Sequence, residues 1–173
     1  MKTSNPITSV LCVVVVTGAL ASRAHAQERP QPVAEIAGGA LLFGDDRVVT
    51  EPFLSGNVRL YVTPRVGIGP EVSAISGQNH SHVMLTGNLT FDVLGPSSGR
   101  PRRVTPFLVA GGGLFVTSQR FVTETATFTE GAFTAGGGVR AWVSDRVTIG
   151  AEARVGWEAH LRINALVGVR LGK

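Results

Sequence analysis

From Gln27 onward the chain alternates apolar and polar residues in stretches of about ten, each closed by a turn or a polar connection. The last stretch shows the pattern most plainly. Leu161, Ile163, Ala165, Val167, Val169 and Leu171 share one parity, and Arg162, Asn164, Gly168 and Arg170 share the other, with Leu166 the exception. Successive side chains of a β-strand point to opposite faces, so this segment has one apolar face and one wet, charged face. Ten residues is also about what a tilted strand needs to cross the hydrocarbon core of a bilayer.

The same reading gives eight strands, at 33–43, 53–62, 66–75, 83–94, 104–116, 132–143, 147–157 and 161–171. In the second, Leu54, Val58, Leu60 and Val62 oppose Ser55, Asn57, Arg59 and Tyr61. In the fourth, Val83, Leu85, Leu89, Phe91 and Val93 oppose Thr86, Asn88, Thr90 and Asp92. The fifth is apolar on both parities and does not declare its facing. Thr63-Pro64-Arg65 and Ser144-Asp145-Arg146 read as tight turns, because proline presets a turn angle and Ser and Asp bond their own backbone. Residues 44–51, 76–82 and 117–131 read as polar loops, 95–103 as a Pro/Gly/Ser-rich connection and 158–160 as a short link.

An open sheet of this kind would leave two unpaired edges, and in lipid each unsatisfied backbone group costs several kcal/mol. Closure removes the edges, so the expected fold is all-β: an eight-stranded antiparallel up-and-down transmembrane β-barrel. The second parity carries Arg59, Glu71, Asn88, Asp92, Arg140, Glu152, Arg154, Arg162, Asn164 and Arg170, at mid-strand and with both signs. Eight strands enclose a space just wide enough for side chains to fill. Arg59, Glu71, Asp92, Arg140, Glu152, Arg154, Arg162 and Arg170 are therefore expected to form an interior ionic network. Arg140 and Glu152 are expected to pair as diagonal neighbours across the 144–146 turn. The alternative is a soluble sandwich or periplasmic lipocalin-like binding barrel, with these charges on its wet outside. Phe43, Phe53, Tyr61, Trp142 and Trp157 lie near strand ends, where a membrane barrel carries aromatic girdles.

Two glycine triplets, Gly111-Gly112-Gly113 and Gly136-Gly137-Gly138, flank the 117–131 segment. Pairing about a tip at Glu124-Thr125 sets Gly112 opposite Gly137. Such a cluster permits the sharp bending a small barrel needs; a phosphate-cradling loop would need a strand-to-helix context that is absent.

Composition adds location more than activity. Lys2, the apolar run at 7–21 and Ala24-His25-Ala26 form the pattern of a cleavable signal peptide at 1–26, leaving 27–173 as one barrel domain. The apolar run is too short for an ordinary spanning helix, and no later stretch is long enough for one. Without Cys12 the mature chain has no cysteine, hence no disulfide framework. Of the sixteen basic residues, removal of Lys2 and Arg23 leaves fourteen against twelve acidic ones, a net of +2. The arginines are scattered, with no basic patch interleaved by aromatics, so nucleic acid is not an expected partner.

The segment Val104-Thr105-Pro106-Phe107-Leu108-Val109-Ala110-Gly111-Gly112-Gly113, followed after a polar interval by Gly136-Gly137-Gly138-Val139-Arg140-Ala141-Trp142, resembles the small eight-stranded outer-membrane barrels, the OmpA/OmpX-like outer membrane protein beta-barrel family. There a similar strand precedes a long outer loop and a GxGxR strand follows it. The resemblance covers essentially all of 27–173. It implies an outer-membrane location in a Gram-negative-type cell, with adhesion or stress-related roles. One departure is the end Val169-Arg170-Leu171-Gly172-Lys173, where family members usually finish on an aromatic residue.

The residues that could carry chemistry are His80, Ser81 and His82. A histidine beside a serine at a membrane surface is what a barrel enzyme that deacylates lipid A would use. Adjacent strand residues point to opposite faces, however, and Asn79-His80-Ser81-His82 reads as a hydrophilic loop tip. His80 and His82 share a parity and could hold a metal, but two ligands without a third make a weak site. No paired carboxylates, P-loop or zinc pattern occurs elsewhere, so no catalytic, metal or cofactor site is expected. The expected function is non-enzymatic: envelope structure or surface interaction through segments 44–51, 76–82 and 117–131, with outer-membrane lipid as the surroundings.

Overall fold

The computed structural model describes residues 30–44, 48–77, 80–95, 102–120 and 125–172. The expected signal peptide lies outside the described residues. Eight strands follow in chain order: β1 (Val33–Gly44), β2 (Val48–Tyr61), β3 (Val66–Ser76), β4 (His80–Asp92), β5 (Val104–Arg120), β6 (Thr125–Trp142), β7 (Val147–Gly156) and β8 (His160–Arg170). A 3-10 turn, Trp157–Ala159, joins the last two. Each strand pairs antiparallel with the next, and β1 pairs with β8 from Val33↔Arg170 to Phe43↔His160, closing the barrel. Every ladder therefore ends on another ladder, and no edge is left open.

The pleat sorts the side chains as the alternation requires. On β8, Leu161, Ile163, Ala165, Val167 and Val169 are exposed, while Arg162, Asn164 and Leu166 are buried. On β4, Leu89 and Phe91 face out and Thr86, Thr90 and Asp92 face in. β5 resolves its ambiguity with Thr105, Phe107, Val109 and Phe115 inside and Leu108 and Leu114 outside. This is the inverse of a soluble barrel, whose apolar parity fills the centre, so the lipocalin-like alternative does not describe this chain. The outward band of Leu, Val, Ile and Phe is the surface that hydrocarbon would solvate.

Three expectations need correction. First, most of the three polar segments are strand, not loop: β1 runs to Gly44, β2 starts at Val48, β3 ends at Ser76, β4 starts at His80, and β5 and β6 pair out to Arg120↔Thr125. Polarity there marks where the wall leaves its apolar band, and backbone ladders continue past that level.

Second, the register of the β5–β6 hairpin places Gly112 opposite Phe133 and Gly137 opposite Leu108, so the triplets do not face one another. Gly112 instead faces Gly87 on β4. The use of the inward glycines is local. A Cβ on Gly113 would strike the Leu85 carbonyl oxygen, and one on Gly138 the Ala151 carbonyl oxygen. At these points the neighbouring strand's backbone bends over the glycine, and the curvature of the small barrel depends on it.

Third, most of the aromatics assigned to girdles lie inside. Phe53 is buried with Leu41, Ile75, Met84 and Phe115, and Tyr61 donates its hydroxyl to Asp92 at 2.9 Å. Trp157 is exposed, edge-on to Phe133 with centroids 5.8 Å apart.

Candidate functional site

Two constellations occupy the barrel. The first is the ionic filling of its axis. Inward positions of a narrow barrel are dry once packed, so a charge there needs both a counter-charge and hydrogen bonds. Near the chain ends, Glu35 of β1 receives Arg140 Nε at 2.8 Å and Arg59 Nη1 at 3.2 Å. The Arg140 guanidinium also lies 3.4 Å from the Phe107 ring centroid and 3.8 Å from Asp92 Oδ1. Farther along, Glu71, Glu152, Arg154 and Arg162 form a closed ring in which each arginine touches both carboxylates. Arg154 reaches Glu152 at 2.6 Å and Glu71 at 3.0 Å; Arg162 reaches Glu71 at 2.5 Å and Glu152 at 3.2 Å. Asn88 and Ser73 donate to the remaining positions of Glu71 at 2.7 and 3.1 Å.

Of the eight residues expected in this network, Arg59, Glu71, Asp92, Arg140, Glu152, Arg154 and Arg162 are brought together inside. Arg170 is not. It ends β8 half-buried at the mouth beside the termini, and its guanidinium lies over the Trp142 ring at 4.2 Å. The expected Arg140–Glu152 pair is also replaced. The register sets Arg140 opposite Gly150, so Glu152 is its diagonal neighbour, but Arg140 turns to Glu35 and Glu152 turns to Arg154 and Arg162. Glu35 was missed because β1 was read for its apolar parity alone; its inward parity with Val33 and Ala37 was the available signal. Four buried carboxylates (Glu35, Glu71, Asp92, Glu152) thus meet four buried arginines (Arg59, Arg140, Arg154, Arg162), and the network is balanced. A cavity of about 10 Å³ lined by Glu35, Arg59, Asn88, Arg140 and Arg154 is the size of one water.

The second constellation is at the mouth opposite the chain ends. His80 and His82, two apart on β4, point to the same face, and Ser81 between them is exposed on the other. The serine is therefore not assembled with either imidazole as a nucleophile–base pair. What joins the histidines is Glu51 of β2, which the loop reading of 44–51 had set aside. Its Oε1 lies 2.6 Å from His80 Nε2, and its Oε2 lies 3.9 Å from His82 Nε2. β3 stands between β2 and β4, and its course ends at Ser76. Gly77, which follows, leaves the space the three side chains share. His82 Nδ1 and Thr117 Oγ1 are hydrogen-bonded at 2.9 Å, and the His82 ring stacks on Phe115 with centroids 4.8 Å apart. Phe115 and Phe53 belong to one apolar cluster; Arg162 lies over Phe53 at 4.8 Å, so this cluster separates the mouth from the ionic ring.

Comparison with known proteins gives likenesses of structure. No family model matches the sequence, and no curated protein matches it. Among solved structures, the N-terminal β-barrel domain of Pseudomonas aeruginosa OprF matches with a TM-score of 0.64 at 10% identity, over 82% of this chain and 98% of that one. Neisserial surface protein A matches at 0.65 and 14% identity, over 81% and 96%. Ail, the attachment invasion locus protein of Yersinia pestis, matches at 0.56 and 10% identity, over 82% and 98%, and a related match is Ail in complex with the heparin analogue sucrose octasulfate.

Proposed function

We propose that this chain, which has the fold of the small eight-stranded outer-membrane barrels, sits in the outer membrane of a Gram-negative-type cell and acts there by binding rather than by turnover. Export would follow from the signal pattern at 1–26. The observation that carries the reading is the partition of side chains: an unbroken apolar exterior around an interior closed by a neutral arginine–carboxylate network. Such a wall has hydrocarbon as its natural solvent, and such a filling leaves the axis to side chains instead of solutes.

Binding then falls to what projects beyond the apolar band. The β5–β6 hairpin is the most prominent candidate. The β6–β7 ladder stops at Thr134↔Gly156, so β6 between Thr125 and Phe133 pairs with β5 alone. Thr127, Phe128, Thr129 and Glu130 are exposed there. The heparin-analogue complex of Ail is one case of this fold holding a ligand, and a surface contact through segments 44–51, 76–82 and 117–131 is the corresponding role here.

Fractionation tests the location. The chain is expected with the outer membrane, and after solubilisation it is expected to migrate differently before and after boiling, as closed barrels do. A chain recovered in solution without detergent would end the proposal. Deleting residues 119–126 is expected to leave that mobility shift intact while abolishing whatever surface attachment the full chain confers on cells.

A further inference from the structure

We propose that the mouth opposite the chain ends is a binding site for a zinc-class divalent metal ion, with Glu51, His80 and His82 as its protein ligands. One ligand atom from each lies within 4.8 Å of the other two. A tetrahedral zinc ion with bonds of about 2.0–2.2 Å sets its ligand atoms roughly 3.3–3.5 Å apart. Side-chain movements of roughly 1–1.5 Å bring the three to that spacing: the His80–Glu51 contact opens from 2.6 Å at Oε1, the His82–Glu51 contact at Oε2 closes from 3.9 Å, and the widest separation closes from at most 4.8 Å.

Three further observations point to a cation. The first is charge. Glu51 is as buried as the carboxylates of the axial network, at 4% exposure, yet the arginines there are already balanced by Glu35, Glu71, Asp92 and Glu152. Among the described residues its ionic neighbours are two imidazoles, and its Oε2 is buried without a hydrogen-bond partner. A buried carboxylate left so is costly unless a positive charge joins it.

The second is orientation. His82 Nδ1 lies 2.9 Å from Thr117 Oγ1, and in the tautomer in which it donates to that oxygen the lone pair is on Nε2, the atom facing Glu51. Metal-binding histidines are fixed in this way by a bond to their other nitrogen. The third is space. A Cβ on Gly77 would lie 2.5 Å from His80 Cε1 and 2.6 Å from Glu51 Oε1, so the absence of a side chain there keeps the cradle open.

The donor set selects the metal. Calcium and magnesium take oxygen ligands, whereas two imidazoles with one carboxylate suit zinc and its neighbours in the late first row. Three protein ligands leave a fourth position for water or for a donor group of another molecule. The His80 side chain is 33% exposed, so an ion reaches the cradle from outside the barrel.

The test is calorimetric titration of the untagged barrel in detergent with zinc chloride at neutral pH. One ion per chain is expected, undisturbed by excess calcium or magnesium. Glu51→Ala and His82→Ala are each expected to weaken binding by tenfold or more, and Ser81→Ala, which changes the outward residue, is expected to leave it unaltered. Gly77→Val keeps all three ligands but fills the cradle, and is expected to weaken binding as strongly. Binding should weaken as the pH falls, because protons compete with the ion for the imidazole nitrogens. Cobalt(II) in place of zinc should give the visible absorption of a four-coordinate site. Each variant is first checked for its heat-modifiable mobility, so loss of binding is read only on folded barrels. No zinc binding by the parent chain, or binding equally tight in Glu51→Ala and His82→Ala, overturns the site.

Discussion

Glu35 is bonded by two guanidinium groups in a part of the barrel where none of the three is more than 5% exposed. Removing it leaves Arg59 and Arg140 facing each other with Asp92 as the remaining carboxylate, at 3.8 Å from Arg140. Breaking a buried pair by deleting one partner costs about 3–5 kcal/mol, since the orphaned charge stays desolvated. Glu35→Ala is accordingly expected to lower the unfolding free energy of the vesicle-embedded barrel by that amount, read from the shift of its denaturant midpoint. Which pairs exist can be measured directly by double-mutant cycles. Strong coupling is expected between Glu35 and Arg140, and near-zero coupling between Arg140 and Glu152 despite their diagonal register. The histidines show the same dependence on neighbours. His80 and His82 could be singled out by sequence, but Glu51 is separated from them by 28 residues or more and by the whole of β3.

At the level of elements, the two faces of the alternating strands were legible because a side-chain period of two survives any register, whereas β5, apolar on both parities, gave no such signal. Register itself was not legible. The β5–β6 ladder pairs Arg120 with Thr125 rather than centring on Glu124-Thr125, which shifts every cross-strand partner and parts the glycine triplets. Polar residues also misled about length: Thr117, Ser118, Thr127 and Thr129 are in ladders although each carries a hydroxyl. A paired comparison separates glycines that bend the wall from those that merely occur in it. Gly113→Ala sets a methyl group within 2.8 Å of the backbone of Leu85 and Thr86, and overpacking of this kind costs about 1–3 kcal/mol. At Gly112 the nearest atom to an added Cβ is 3.7 Å away, and Gly112→Ala is expected to stay within about 0.5 kcal/mol of the parent. Equilibrium unfolding of the two variants side by side decides the matter; equal losses would mean that the wall does not bend at Gly113.

For the whole molecule, the distribution of charge decides which solvent the barrel fits. Val167 is exposed near the middle of β8, and its neighbour Leu166 is buried among Ala37, Phe107 and Val109. Arginine on the lipid face at mid-depth costs roughly 2–4 kcal/mol in a bilayer, whereas on a water-facing surface it would cost almost nothing. Val167→Arg is therefore expected to reduce stability by about that amount in lipid vesicles, with the loss tapering toward zero for Val169→Arg, nearer the chain-end rim. A neutral Val167→Arg would place water, not acyl chains, against the wall.

The alternation by itself predicted eight strands, most with one apolar and one charged face, and the cost of an unpaired edge predicted their closure; which parity turns inward, and the facing of β5, were decided by the tertiary structure. What the sequence could not contain is which inward residues touch. That depends on stagger between strands and on how side chains share a narrow lumen, so Glu35 claims Arg140, four residues close a ring around the axis, and Gly77 lets Glu51 reach across a strand to two histidines. Contacts among residues from different strands are a property of the closed wall, and only folding brings them into existence.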